Sequence, residues 1–241
     1  PRILQGNAKV VAMNSLDQFA IRTPASQVER IESLYRTGSS DVVRAAGGEM
    51  VDAIKVLQQA NPQRYAPQNN AEYPRSDFGN HLKQIAQLIK ADVGLEVAFA
   101  DVGGWDTHVN QGGVSGQLAN RLGDFAQSIQ ALVTDLGDRM SDVVILTMSE
   151  FGRTARQNGS AGTDHGHAGA LFVIGGSVKG GKVHGKWPGL AMEQLNEGRD
   201  LALTTDFRSV FAEVAVKHLG ASKPDALFPA FASTQPWLGL L

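Results

Sequence analysis

The 241-residue chain contains no cysteine, so disulfides, thiolate metal sites and cysteine nucleophiles are excluded together. It also lacks any apolar run approaching the roughly 20 residues of a membrane helix. Neither sign of charge dominates: 22 Lys and Arg stand against 24 Asp and Glu, for a formal net charge of −2. That balance offers no general attraction to nucleic acid or to an anionic membrane, and no local basic patch supplies one. Internal repeats and low-complexity tracts are absent too. Pro1 is preceded by no Met and followed by neither a basic n-region nor an apolar h-region, which reads as a processed or trimmed product. What is present is ordinary for a globular protein, with 42% hydrophobic and 19% charged residues and length enough for a sizeable core.

The pattern changes partway along the chain. Residues 1–92 read as mostly helical. Val43, Met50, Ile54 and Leu57 form one helical stripe that ends before Asn61-Pro62, and Phe78, Leu82, Ile85 and Ile89 form another, capped by Ser76 or Asp77. Between them, Asn61 to Pro74 reads as loop, and Val10 to Met13 as a short strand. His81 sits in a helical stretch and reads as structural or solvent-facing. From residue 93 on, Leu95 to Ala100 predicts a buried strand, Leu118 to Leu136 a long amphipathic helix, and Val143 to Met148 a second strand. Strand, helix, strand is a βαβ unit with parallel neighbours. Ala170 to Ile174 predicts a third strand, the glycines of Gly175 to Pro188 a β-hairpin or meander, and Phe207 to His218 a helix capped by Thr205 or Asp206 and closed by Gly220. The expected fold is a single α/β domain over 1–241, with a mainly parallel central sheet flanked by helices.

Polar clusters stand where these strands end, the usual place for ligands in open α/β sheets. They are Gly103-Gly104-Trp105-Asp106-Thr107-His108, then Ser149-Glu150-Phe151-Gly152-Arg153-Thr154, then Gly162-Thr163-Asp164-His165-Gly166-His167. In extended chain, Asp106 and His108 share a face and can reach one ion; His165 and His167 share that geometry beside Asp164. With Glu150 these six residues are the candidate metal ligands. Mixed Asp/His ligation suits Zn²⁺, Mn²⁺ or Fe, with Mg²⁺ also open, and such an ion makes water a usable nucleophile. The plainer reading of each Asp-x-His is a cap or turn.

Arg153 is the candidate catalytic and substrate-binding cation, holding a phosphate or sulfate oxyanion through its planar fork, with Asn158 as a second substrate-binding candidate. The alternative for Arg153 is a salt bridge to Glu150 or Asp164. Ser149 has no nucleophile elbow around it and reads as structural. The Gly175 to Gly185 stretch lacks the Gly-Lys-Ser/Thr ending of a phosphate loop. His184 and Trp187 read as hairpin packing, and Trp105 as a packing wedge.

The strings GGWDTHVNQ, VVILTMSEFGRT, GTDHGHAG and GGSVKGGKVHGKWPG resemble the signature of the domain of unknown function 1501 family, over the whole chain. That family is placed in the alkaline phosphatase and sulfatase superfamily. The resemblance implies an alkaline-phosphatase-like sheet, metal ions held by Asp and His at strand ends, and hydrolysis of phosphate or sulfate esters. It also implies twin-arginine export to the periplasm and an N-terminal strand region that this chain lacks. By resemblance, Asp106 and His108 match the superfamily's Asp-x-x-x-His segment with a shorter spacer, Ser149 to Gly152 its Ser-Asp-His-Gly segment, and His165 or His167 its last His ligand. Phe151 stands where a ligand His is usual, and Glu150 replaces Asp. The alternative is a non-catalytic exported member, used for binding or assembly, with a degenerate or structural metal site.

Overall fold

A computed structural model describes residues 10–16, 25–37, 41–59, 65–228, 230–231 and 237–241. The chain divides into two compact units, one of residues 1–101 with 125–136, the other of 102–124 with 137–241.

The first unit is helical. Its elements are α1 (Ala25–Thr37), α2 (Asp41–Gln59), α3 (Asp77–Lys90) and the later part of α4 (Gln117–Leu136). In α2 the buried stripe is Val51, Ile54 and Leu57, while Met50 faces outward; the Val43 side chain lies outside those described. Gly47 lets α2 approach α1 closely, since a Cβ there would run into the Tyr35 ring. α3 starts where the polar residue before the apolar stripe predicts: Ser76 Oγ accepts the Gly79 N–H at 3.0 Å, one of the amides a helix leaves without an internal partner. Phe78, Leu82 and Ala86 of α3 are buried, as are Ile129, Ala131, Leu132 and Leu136 of α4, and Phe78 stacks on Phe125 with ring centroids 5.4 Å apart.

Asp135, fully buried on α4, draws the segment 65–73, which precedes α3, onto this unit. Its carboxylate accepts from Tyr65 Oη at 2.5 Å, Gln68 N at 2.7 Å and Tyr73 Oη at 2.8 Å, and pairs with Lys90. Burial opposes its charge, yet those four donors together hold the carboxyl below its ordinary range. Burial and the neighbouring carboxylate push both phenols well above theirs. Val10 to Met13 forms no strand; Leu95 to Ala100 forms none either, with Leu95, Val97 and Phe99 exposed.

The second unit holds β1 (Val144–Leu146), β2 (Gly152–Arg153), β3 (His165–Gly166), β4 (Val173–Gly175) and α5 (Phe207–Lys217). β1 pairs antiparallel with β4, Ile145 opposite Ile174, and β2 pairs antiparallel with β3, Arg153 opposite His165. These are the two ladders among the described residues; the mainly parallel central sheet belongs to the proposal below. The two expected strands Val143 to Met148 and Ala170 to Ile174 thus come together as neighbours, the second displaced toward Gly175. The stretch Gly175 to Pro188 forms turns without hairpin strands. Asp206 caps α5 by accepting from Arg208 N, and Gly220, at φ +71°, lets the Ala221 N–H return to Ala215 C=O at 2.9 Å. Val210, Ala212 and Val214 of α5 are buried, and buried Glu213 takes the Gly239 and Leu240 amides at 3.2 and 2.7 Å, fixing the C-terminal residues.

Candidate metal centre

Two backbone segments build the site. Residues 107–111 run alongside 160–163, joined by Asn110 N to Ser160 O at 2.9 Å, Gln111 N to Ala161 O at 2.9 Å and Thr163 N to Thr107 O at 3.2 Å. Glycine permits the approach: a Cβ on Gly162 would strike the His108 and Thr107 carbonyls. Along the first segment, Thr107 is buried at 3% exposure while its two neighbours turn the other way. This is the alternation of extended chain, and it places Asp106 and His108 on one face. The second ladder supplies the rest, because cross-strand partners lie side by side and Arg153 and His165 are such partners. Gly152 and Gly166 let β3 and the chain after it close on β2, with the Ala168 and Arg153 carbonyls where their Cβ atoms would stand.

All of these side chains converge on one oxygen. Asp106 Oδ1 lies 2.9 Å from His108 Nε2, 2.8 Å from His165 Nε2 and 2.8 Å from Arg153 Nη1. The Arg153 hydrogen bond foremost, then that of His165, holds the Asp106 carboxyl below the ordinary carboxylate range. The His165 ring is stacked between Phe151, at 4.0 Å and 9°, and His108, at 5.0 Å and 30°. Phe151, at the position where the resemblance implies a ligand histidine, therefore fixes the plane of one. Arg153 is itself anchored: Nε donates to Thr163 Oγ1 at 2.9 Å, Nη2 to Thr163 O, and its guanidinium lies over the Phe151 ring. Thr163 passes the order on to Gln111 Oε1 at 2.7 Å, which also accepts from Thr107 Oγ1 at 2.8 Å.

One ligand atom from each of Asp106, His108 and His165 lies within 4.8 Å of the others, and the three side chains are about half exposed. A carboxylate and two imidazoles, open on one side, are a donor set that Zn²⁺, Mn²⁺ or Fe²⁺ accepts. The other expected ligands stand elsewhere. Asp164 meets the far nitrogen of His108, its Oδ1 2.9 Å from Nδ1. Glu150 is exposed and outside the group, and Ser149 Oγ donates to Phe151 O at 2.9 Å. His167 is outside it as well: β3 ends at Gly166, and the His167 amide donates to buried Asp200. Asn158 serves the loop rather than the open face. Its Oδ1 accepts from Ser160 N and Gly162 N, and its Nδ2 donates to His108 O and Asp164 Oδ1, all at 2.9–3.0 Å. The ion pair expected of Arg153 forms, but with Asp106. Sequence reasoning overlooked Thr163, Gln111 and Asp200; the first two lie inside motif strings, while nothing near Asp200 in sequence marks it.

Residues 2–227 match the profile of a family described as a protein of unknown function (DUF1501), and the chain belongs to that family. No curated protein and no solved structure matches it. No helix among the described residues is long and apolar enough to cross a membrane.

Proposed function

We propose that this protein is a metal-dependent hydrolase of phosphate or sulfate esters, with Asp106, His108 and His165 holding a divalent ion. The observation that carries the reading is the convergence of two imidazole Nε2 atoms on one carboxylate oxygen. A divalent ion in such a donor set supplies a lowered water pKa and charge for an ester oxygen. The chain's own residues do the rest. Asp106 stays ionised beside Arg153 and is the anionic member of the ligand set. Phe151 holds the His165 ring by stacking on it. Arg153 makes three hydrogen bonds of the five that a guanidinium can donate. The remaining two N–H groups belong to a cation already fixed in place, suited to the equatorial oxygens of a phosphate or sulfate as charge builds on them. The alkaline-phosphatase-like parallel sheet and periplasmic location are part of the same proposal, and both rest on the family resemblance.

The test is metal analysis of purified protein followed by turnover of nitrophenyl phosphate and nitrophenyl sulfate. Stoichiometric metal, and turnover abolished in His108→Ala, is the expected result. A second reading, a non-catalytic family member in which an ion fastens loops together, draws on the engagement of Ser149 and Asn158 in local hydrogen bonds. Stoichiometric metal with no turnover of either ester in the full-length protein favours it.

A further inference from the structure

We infer that Asp164 is a positioning residue that acts through His108, rather than a ligand in its own right. The inference rests on the metal reading above and assigns Asp164 a different part in it. His108 lies between two carboxylates, Nε2 facing Asp106 and Nδ1 facing Asp164, each at 2.9 Å. A neutral imidazole carries one proton, and an ionised carboxylate only accepts. With Nδ1–H donated to Asp164, the lone pair of Nε2 is left toward Asp106 and His165, on the side where the ligand atoms gather. Carboxylates behind metal-binding imidazoles set tautomer and ring orientation in this way.

Asp164 is built to do this. Its backbone is paired with Thr154 in both directions, Thr154 N to Asp164 O at 2.9 Å and Asp164 N to Thr154 Oγ1 at 3.1 Å. Its Oδ1 also accepts from Asn158 Nδ2, which holds the His108 carbonyl with the same amide nitrogen. The carboxylate and the backbone of the residue it steers are thereby tied to one amide. Asp164 contributes nothing to the group of converging ligand atoms.

The experiment measures zinc affinity by competition with a chelating dye, together with ring ¹⁵N spectra of His108 in zinc-loaded protein. Expected for the wild type is zinc on Nε2 and a protected proton on Nδ1. Asp164→Ala is expected to bind zinc about 10- to 100-fold more weakly and to lose that proton's protection. Asp164→Asn, which keeps an oxygen at the position, falls between the two and carries the comparison should the alanine variant not fold. Unchanged affinity in both variants overturns the inference alone, as does a wild-type spectrum with zinc on Nδ1. Wild-type protein that binds no zinc overturns the inference together with the metal reading.

Discussion

Removing the His165 imidazole tests the centre at its least redundant point, because that ring comes from β3, whereas Asp106 and His108 share one extended segment. An ion that binds only folded protein stabilises it by RT ln(1 + [L]/Kd), about 2.7 kcal/mol when free zinc is 100-fold above Kd. In a chain of this size each kcal/mol moves the melting temperature by roughly 2–4 °C, so zinc is expected to raise the wild-type transition by about 5–11 °C. Loss of an outer-lying partner typically weakens a metal 10- to 100-fold, and loss of a direct ligand is expected to reach at least about 100-fold. At the same zinc concentration His165→Ala then retains RT ln 2, about 0.4 kcal/mol or 1–2 °C. The substitution also removes a stack on Phe151 and a hydrogen bond to Asp106, which lowers the metal-free transition. The quantity to compare is therefore the zinc-induced increment within each variant, measured by differential scanning fluorimetry. His167→Ala, two residues on and outside the group, is the control and keeps the full increment. A full increment in His165→Ala, or its loss in His167→Ala, refutes the assignment.

Three further outcomes follow from the packing. Gly162→Ala forces a Cβ against the His108 carbonyl; it is expected to cost about 1–3 kcal/mol and to weaken zinc binding with every ligand intact, while Gly159→Ala, with nothing within 4 Å, leaves both unchanged in parallel melts and titrations. Asp135→Ala strands Lys90, two tyrosine hydroxyls and the Gln68 amide, and is expected to lower the stability of the helical unit by about 3–5 kcal/mol in urea unfolding; a loss under 1 kcal/mol contradicts the clasp. The phenols of Tyr65 and Tyr73 are raised in the fold from an ordinary value of 10.0, so above pH 10 the unfolded chain loses protons that the folded one keeps, and stability falls as pH rises. In a Tyr35→Phe background, phenolate absorbance at alkaline pH should therefore appear together with the loss of helical circular dichroism, and phenolate forming within the folded state would show the clasp to be open.

The helices were legible because their information is local. The stripe Phe78, Leu82, Ile85 and Ile89 with Ser76 or Asp77 before it locates α3 without reference to the rest of the chain, as Thr205 or Asp206 does for α5; the structure selects Ser76 and Asp206 as the caps and buries Ala86 rather than Ile85 and Ile89. Strands are different, since a strand exists only where another segment supplies its hydrogen bonds, and an apolar run does not say which segment that is. Val143 to Met148 and Leu95 to Ala100 look alike in sequence, yet the first holds β1, paired through Ile145 with Ile174, and the second has no ladder and exposes Val97 and Phe99.

The same division between local and distant causes runs through the centre. Asp106 and His108 were readable as a pair because alternation along extended chain is a property of the backbone, and buried Thr107 between them is its signature. Choosing between His165 and His167 was not readable, since the choice depends on where β3 stops, and the His167 amide is held by a carboxylate at residue 200, distant in sequence. Arg153 likewise found Asp106, distant in sequence, over Glu150 only three residues away, because its cross-strand neighbour is His165 and both reach the same oxygen. At Gly152, Gly162 and Gly166 none has a positive φ, and what each requires is the absence of a side chain against a neighbouring carbonyl. Close approach, rather than flexibility, is what these three glycines permit: backbones pressed together bring Asp106, His108 and His165 to one place, and a methyl group on Gly162 would meet the His108 carbonyl.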